Sequence, residues 1–549
     1  MKKLINDPRH VVREMLEGLV DLNPGLALLE AEDVVVRADL PPPESRPVAV
    51  ISGGGSGHEP AHAGYVGAGM LAGAVAGDVF TSPSTDAVLA AIRAAAGPAG
   101  ALLVVKNYTG DRLNFGLAAA LASAEGIPTR VVVVADDAAL RATVEPARRR
   151  GIAGTVLVHK IAGAAAAAGL PLAAVVAEAE AAAAGMVSMG VALGACIVPG
   201  AGKPGFDLGE EEMELGLGIH GEQGVARSAL RPADEVVETI LATLVEDAEL
   251  AAGDRVALLV NGLGGTPPME LSIVARRALA ALRERGIAVE RGWVGNFMTA
   301  LEMPGCSLTL LRVDAARLAR LDAPAAAPAW PGGGRLAERQ VVPAPPPASR
   351  DAVLPPGPFA PALKRVALAA AAALVAEEAA LTALDSRAGD GDLGLSMARG
   401  AAAIRALPDR AWATPSVALA AMGEALRRAI AGSSGPFYAT ALLRAAQGID
   451  DAAPDWPAAF AAGVAAIAEL GGAQPGDRTM LDALDPAARA FAAGGWPAAV
   501  AAAREGTEAT ARMRPRLGRA AYLGDRALGA PDAGASAVLV WMQAIERAL

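Results

Sequence analysis

The stretch ELGLGIHGEQG, residues 214–224, sets one histidine, His220, among glycines at 216, 218, 221 and 224. The chain holds only five histidines in 549 residues. Glycines that let backbone or ligand come close carry an entropic cost that ordinary core packing has little reason to accept, so the segment reads as a site before it reads as scaffold. A second histidine, His58, ends SGGGSGH, whose Gly55-Ser56-Gly57 turn offers N–H groups at the C-terminal edge of a strand, where open α/β sheets bind ligands. It does not fit the dinucleotide pattern G-x-G-x-x-G, because His58 stands where the last glycine belongs. A third stretch, VVKNYTGDRLNFG, places Lys106 and Asp111 just beyond a buried strand. In a closed pocket such a carboxylate takes a proton from a hydroxyl while the lysine hydrogen-bonds sugar oxygens; taken alone, a solvated surface pair is the plainer alternative.

Acidic chemistry is concentrated in LTALDSRAGDGDLGLSMARG, where Asp385, Asp390 and Asp392 are spaced i, i+5, i+7. On one continuous helix the middle carboxylate would lie well round from the others, but Gly389 and Gly391 break the helix and let a turn bring all three together. Hard oxygen ligands so close repel one another without a cation, and they suit Mg²⁺ with phosphates completing its shell. An ordinary Asx/Gly loop is the alternative, and the EF-hand ligand pattern is absent. AGSSGPF (431–437) and GGAQPGDRTMLDAL (471–484) can present N–H groups and hydroxyls to phosphate oxygens, without the Gly-Lys-Ser/Thr of a Walker A loop.

The elements that must position these residues divide the chain. At 549 residues, two or three domains are expected. From the N-terminus to about residue 320, short apolar runs (PVAVISGGG, GALLVVKNYTGD, RVVVVADD, TVLVHK, VALGACIVPG, RVALLVNGLGG, SLTLLRV) alternate with helical stretches, the rhythm of an α/β protein with buried strands. Residues 322–357 are rich in proline and alanine and read as a linker. From 358 to 549 alanine-rich helical periodicity dominates, so a helical bundle or barrel is expected. Net charge −11 and no basic–aromatic patch argue against nucleic acid. Cys196 and Cys306 lack metal-ligand spacing and read as buried thiols of a reducing compartment. The N-terminus lacks the apolar run of a signal peptide, and the uncharged stretch 181–202, with five glycines and a proline, reads as a buried strand with its turns rather than a membrane span. A cytoplasmic protein without a membrane partner is expected.

Taken together, GGGSGHEPAHAGYVG, VKNYTGDRLNF, GLGIHGEQG, LDSRAGDGDLG, GDRTMLDAL and GRAAYLGDRALGAPDAGASA closely resemble, in order, the motifs of the dihydroxyacetone kinase family in its single-chain form, across about residues 1–320 and 358–549. The resemblance implies a two-lobed α/β ketose-binding half (1–321), the linker (322–357), and an all-helical barrel (358–549) that holds ATP and two Mg²⁺. It implies that His220 adds through an imidazole nitrogen to the ketone carbon of the substrate as a covalent hemiaminal. By the same implication Gly55, Ser56, Gly57, His58 and Lys106 hold the substrate, Asp111 draws the proton from the attacking terminal hydroxyl, and His58 hydrogen-bonds or shares in proton transfer.

Asp385, Asp390 and Asp392 would bind the metal; ATP contacts fall on Leu393, Gly394, Leu395, Ser396, Ser433, Ser434, Gly471, Met480, Arg519, Asp532, Ala533 and Gly534. The chain departs from many relatives at Thr382, where they carry asparagine, and at Leu393 and Leu395, where one position is polar. The implied activity is ATP-dependent phosphorylation of dihydroxyacetone or a close short-chain ketose such as erythrulose, in a homodimer. The competing expectations are a non-catalytic ketose sensor and a fatty-acid kinase, which shares the helical half alone; some relatives also cleave FAD to a cyclic flavin phosphate.

Overall fold

The computed structural model describes residues 2–344 and 355–549, without the side chain of Arg519. It forms two compact units, residues 1–342 and 343–549; part of the expected linker thus lies outside the described residues.

The first unit contains two six-stranded sheets. One is built from β1 (Leu26–Leu28), β2 (Val34–Arg37), β3 (Ala49–Ser56), β4 (Gly73–Val79), β5 (Ala101–Lys106) and β6 (Thr129–Val134), in the order β1-β2-β4-β3-β5-β6. Strands β4, β3, β5 and β6 run parallel, and β1 and β2 add an antiparallel edge. Every residue of β3 and β5 is buried, as expected of central parallel strands covered on both faces. The second sheet comprises β7 (Met186–Ala192), β8 (Glu212–Leu215), β9 (Ala226–Ala229), β10 (Arg255–Gly262), β11 (Ala288–Gly295) and β12 (Gly305–Arg312), in the order β11-β10-β12-β7-β8-β9. Only its β10–β11 pair is parallel.

One expected strand is a helix. TVLVHK opens Thr155–Ala167, buried throughout from Thr155 to Ala166. A short β-branched run has no period of its own when every side is buried, and the alanines that follow carry it into a helix. Residues 181–202 span the end of helix Leu172–Ala184, strand β7 and a loop. Among the described residues no single helix is long and apolar enough to cross a membrane.

The segment after helix Ala315–Asp322 has no regular element but does not leave the first unit at once. Ala326 and Ala329 donate backbone N–H groups to Ala68 and Gly64, and Trp330 is buried against Trp293, 5.0 Å between ring centres. Proline breaks the periodicity there, but a tryptophan still gains by leaving water.

The second unit contains eight α-helices among the described residues: Ala360–Ala376, Glu378–Asp385, Leu393–Arg405, Pro415–Ala429, Ser434–Gly448, Trp456–Gly471, Leu481–Thr510 and Ala533–Ala548. Thr414, Asp455 and Asp532 each cap a helix N-terminus by accepting the N–H three residues on. Leu481–Thr510 is interrupted at Gly495, two residues before Pro497.

Candidate active site

Three loops of the first unit meet at two of its histidines. His58, which follows β3, is fully buried; its Nδ1 lies 2.7 Å from the carbonyl of Thr299 and its Nε2 lies 3.0 Å from Nε2 of His220. His220 Nδ1 lies 2.8 Å from Oε1 of Glu222. A carbonyl and a carboxylate only accept, so both Nδ1 atoms carry hydrogen, and two neutral rings would face each other lone pair to lone pair. A hydrogen bond between the opposed Nε2 atoms would need one further proton. Burial, with Lys106 and His220 nearby, holds the His58 imidazole well below its ordinary pKa.

Aromatic rings fix the two imidazoles. Phe80 stacks on His58 and meets His220 edge-on, and Tyr108 meets the other side of His220 with 4.7 Å between ring centres. Phe80 holds φ of 57°, a costly conformation for a bulky residue, in which its N–H donates to the Ser56 carbonyl. From the second sheet's side, Leu301 donates its N–H to the Gly57 carbonyl and Thr299 to that of His58.

Lys106 ends β5, and Asp111 lies in the first turn of helix Thr109–Ala124. Both are buried, and Lys106 Nζ, Asp111 Oδ1 and the Tyr108 hydroxyl have no hydrogen-bond partner among the described residues. Burial lowers the Lys106 ammonium below its usual range against the pull of Asp111, Glu222 and Glu59. Gly54 leaves the gap these groups face: a Cβ there would lie 3.3 Å from Lys106 Nζ and 3.6 Å from Asp111 Oδ2. Buried donors and acceptors left unsatisfied among the described residues, beside a position where only glycine leaves room, mark a candidate polar binding site. Other expected contacts are already engaged: the Ser56 hydroxyl donates to the Gly77 carbonyl, and the Gly57 N–H to the Glu59 carboxylate.

Beside this centre lies a second buried pair. His62 Nδ1 and His159 Nε2 are 3.0 Å apart, with the Ser52 hydroxyl 3.3 Å from His62 Nδ1. Burial, with the charge of Lys106, keeps both rings neutral, His159 at about 3.

In the second unit, Asp385 closes one helix and Asp392 precedes the next, and the turn between them contains Gly389 and Gly391. One carboxylate oxygen from each of Asp385, Asp390 and Asp392 lies within 4.8 Å of the others. Asp385 Oδ2 also accepts the N–H groups of Asp392 and Leu393, 3.0 and 3.2 Å away, which pins it across the turn. The donor set is all hard oxygen and half-buried to exposed, which fits Mg²⁺ completing its shell with water and phosphate.

Leu393 is buried in an apolar cluster with Leu381, Met397, Ile430 and Ala537, against which Ala533 packs, whereas Leu395 is 51% exposed. Buried Ser396 takes a hydrogen bond from Arg399, and a Cβ on Gly394 would overlap the Glu378 carbonyl. Met480 lies against Gly534, and Gly471 against Phe437, one turn into the helix that begins at Ser434 beside Ser433. Asp532 caps the helix that starts at Ala533, and burial raises its carboxyl to about 6. The side chain of Arg519 lies outside the described residues.

Sequence reasoning missed five residues. Glu222, Phe80 and Thr299 hold the histidines; Arg150 donates to the Gly216 carbonyl and to Asp137, holding the start of the His220 loop. Buried Arg478 donates to the carbonyls of Thr510, Ala527 and Ala530, tying the loop before Met480 to that before Asp532. Glu222 and Arg478 stood inside quoted motifs, and a charged residue among glycines was the available signal; Phe80 and Thr299 gave none.

The architecture and these centres define a two-unit protein with a buried histidine, lysine and aspartate cluster in its α/β unit and a carboxylate cluster in its helical one. The Dak1 domain matches residues 17–329 and the DAK2 domain residues 387–547, and the chain belongs to the dihydroxyacetone kinase family. It is 45% identical over 578 residues to a putative 3,4-dihydroxy-2-butanone kinase of Solanum lycopersicum, covering 99% of this chain and 97% of the relative. It is 44% identical to the triokinase/FMN cyclase of Homo sapiens, covering 99% and 98%. The crystal structure of the dihydroxyacetone kinase of C. freundii in complex with AMP-PNP and Mg²⁺ aligns over 100% of both chains at 36% identity and a TM-score of 0.66.

Proposed function

We propose that this protein is a cytoplasmic, homodimeric kinase that transfers the γ-phosphoryl group of ATP to a terminal hydroxyl of dihydroxyacetone or a close short-chain ketose held covalently on His220. One observation carries the reading: two imidazoles with Nε2 atoms 3.0 Å apart stand in the same unit as a buried lysine and aspartate with polar atoms unpartnered among the described residues. As His220 Nε2 bonds to the carbonyl carbon, the C=O π electrons move onto oxygen, which takes a proton delivered from Nε2 of His58; the hemiaminal then carries an imidazolium charge that the Glu222 carboxylate meets at Nδ1. The adduct selects carbonyl compounds over polyols that offer similar hydroxyls. Lys106 hydrogen-bonds substrate oxygens, and Asp111 takes the proton of the terminal hydroxyl as that oxygen attacks the γ-phosphorus, the bond to the β-phosphate oxygen breaks and ADP departs.

In the helical unit, Asp385, Asp390 and Asp392 would hold two Mg²⁺ with the ATP phosphates; bound there, the metal neutralises charge on the transferring group. The residues at 393–396, 433–434, 471, 480, 519 and 532–534 surround the nucleotide, Leu393 and Leu395 through backbone only, since one side chain is buried in apolar contacts and the other is exposed. A four-carbon ketose such as erythrulose is the second reading, favoured by the 38% identity to a D-erythrulose kinase of Mycolicibacterium smegmatis.

A coupled ADP-release assay over dihydroxyacetone, glyceraldehyde and both erythrulose enantiomers tests the proposal. ADP release in step with ketose phosphate, abolished in His220→Ala, is expected. No phosphotransfer to any C3 or C4 carbonyl compound would leave a ketose sensor.

A further inference from the structure

We propose that Glu222 is the positioning residue of the ketone-capturing imidazole, fixing the hydrogen of His220 on Nδ1 so that Nε2 is the nitrogen presented to the carbonyl carbon, and that position 218 is glycine to make room for it. The inference rests on the reading of His220 as the covalent nucleophile. One carboxylate grips the same residue twice: Oε1 lies 2.8 Å from the ring Nδ1, and Oε2 accepts the backbone N–H of His220 at 3.0 Å. The ring cannot turn over without breaking the first bond, nor the loop slide without breaking the second. Burial pushes the Glu222 carboxyl up, but these bonds and the charge of His220 outweigh it and hold the group at about 2, ionised and accepting only.

The loop is shaped around this carboxylate. A Cβ on Gly218 would overlap Oε2 of Glu222 and come within 2.6 Å of Arg150 Nη1. The Glu222 carbonyl takes the Gly218 N–H at 3.0 Å, closing the turn that carries His220. Arg150, anchored on Asp137 and the Gly216 carbonyl, backs the other side of the loop. Among the described residues the ring's Nδ1 bonds to Glu222, whereas its Nε2 faces Nε2 of His58, so Glu222 is the group that draws the hydrogen of His220 to Nδ1. A carboxylate that sets a catalytic histidine's tautomer is a recurrent device, and its loss costs far more than a loop staple would.

The test uses the full chain labelled with ¹⁵N-histidine, the His220 signals being assigned by their loss in His220→Asn. In wild type, Nδ1 of His220 should bear hydrogen from pH 6 to 9. In Glu222→Leu it should lose that hydrogen at pH 9, and capture of [2-¹³C]dihydroxyacetone, read as conversion of the carbonyl resonance to a tetrahedral carbon, should weaken at least about tenfold. Gly218→Ala, which keeps both residues but displaces the carboxylate, should give the same loss. A wild-type Nδ1 without hydrogen at pH 9, or capture by a folded Glu222→Leu within about twofold of wild type, overturns the proposal, and the wild-type spectrum decides even if the variants do not fold. Absence of any tetrahedral carbon in wild type would sink the nucleophile assignment instead, a result separate from the tautomer.

Discussion

The two candidate centres are built on opposite plans. In the α/β unit, His58, Lys106 and Asp111 are buried, rings clamp both sides of His220, and the unpartnered polar atoms face the gap at Gly54. In the helical unit the acidic trio is half-buried to exposed on a turn between two helices. A three- or four-carbon ketose brings little binding energy and no charge, so a site for it must be ordered in advance. A metal–triphosphate brings strong fields of its own, and an open set of carboxylates suffices to meet it. Substitutions at the first site should therefore damage ketose capture and turnover, and those at the second nucleotide binding.

The largest expected effect is that of Asp111→Asn, which removes the proposed proton acceptor without changing shape: kcat should fall about a thousandfold with nucleotide affinity unchanged. Loss of nucleotide binding in that variant would break the contrast between the sites. Next, Asp390→Ala should weaken Mg²⁺-dependent nucleotide binding by at least about 100-fold in calorimetry while ketone capture by His220 persists. Gly54→Ala should raise the ketose KM by an order of magnitude or about that, because its methyl group occupies the space between Lys106 and Asp111.

A smaller effect concerns acid stability. His159 is held at about 3 in the folded chain against 6.5 when free. Its contribution is complete above pH 6.5 and is lost as pH falls below that, at about 1.4 kcal/mol per pH unit. Urea unfolding at pH 7 and 5, followed by tryptophan fluorescence, should show a steeper loss for wild type than for His159→Gln. Smallest of all, Leu395→Ser, at an exposed position, should change stability by less than about 0.5 kcal/mol.

Much of this was legible in the chain. The glycine-flanked His220, the strand-end His58 and the Asp–Gly–Asp turn each carried a local signal, because chemistry that needs close backbone approach leaves glycines behind. The division at the proline-rich stretch was readable for a similar local reason, but not the packing of Trp330 on Trp293, since burial of one aromatic depends on a partner 37 residues away in sequence. TVLVHK failed as a strand because composition without period does not distinguish buried helix from buried strand. Phe80 and Thr299 were invisible because their roles exist only where distant segments meet: the Thr299 carbonyl reaches His58 across 241 positions.

That last contact has a consequence for assembly. His58 follows β3 of one sheet, while its carbonyl anchor Thr299 lies in the loop joining β11 and β12 and His220 in the loop joining β8 and β9 of the other, so no short fragment carries the pair whole. Long-range closures of this kind are slow and come late in folding. Ketone capture should accordingly be the last property a nascent chain acquires and the first a loosening one surrenders.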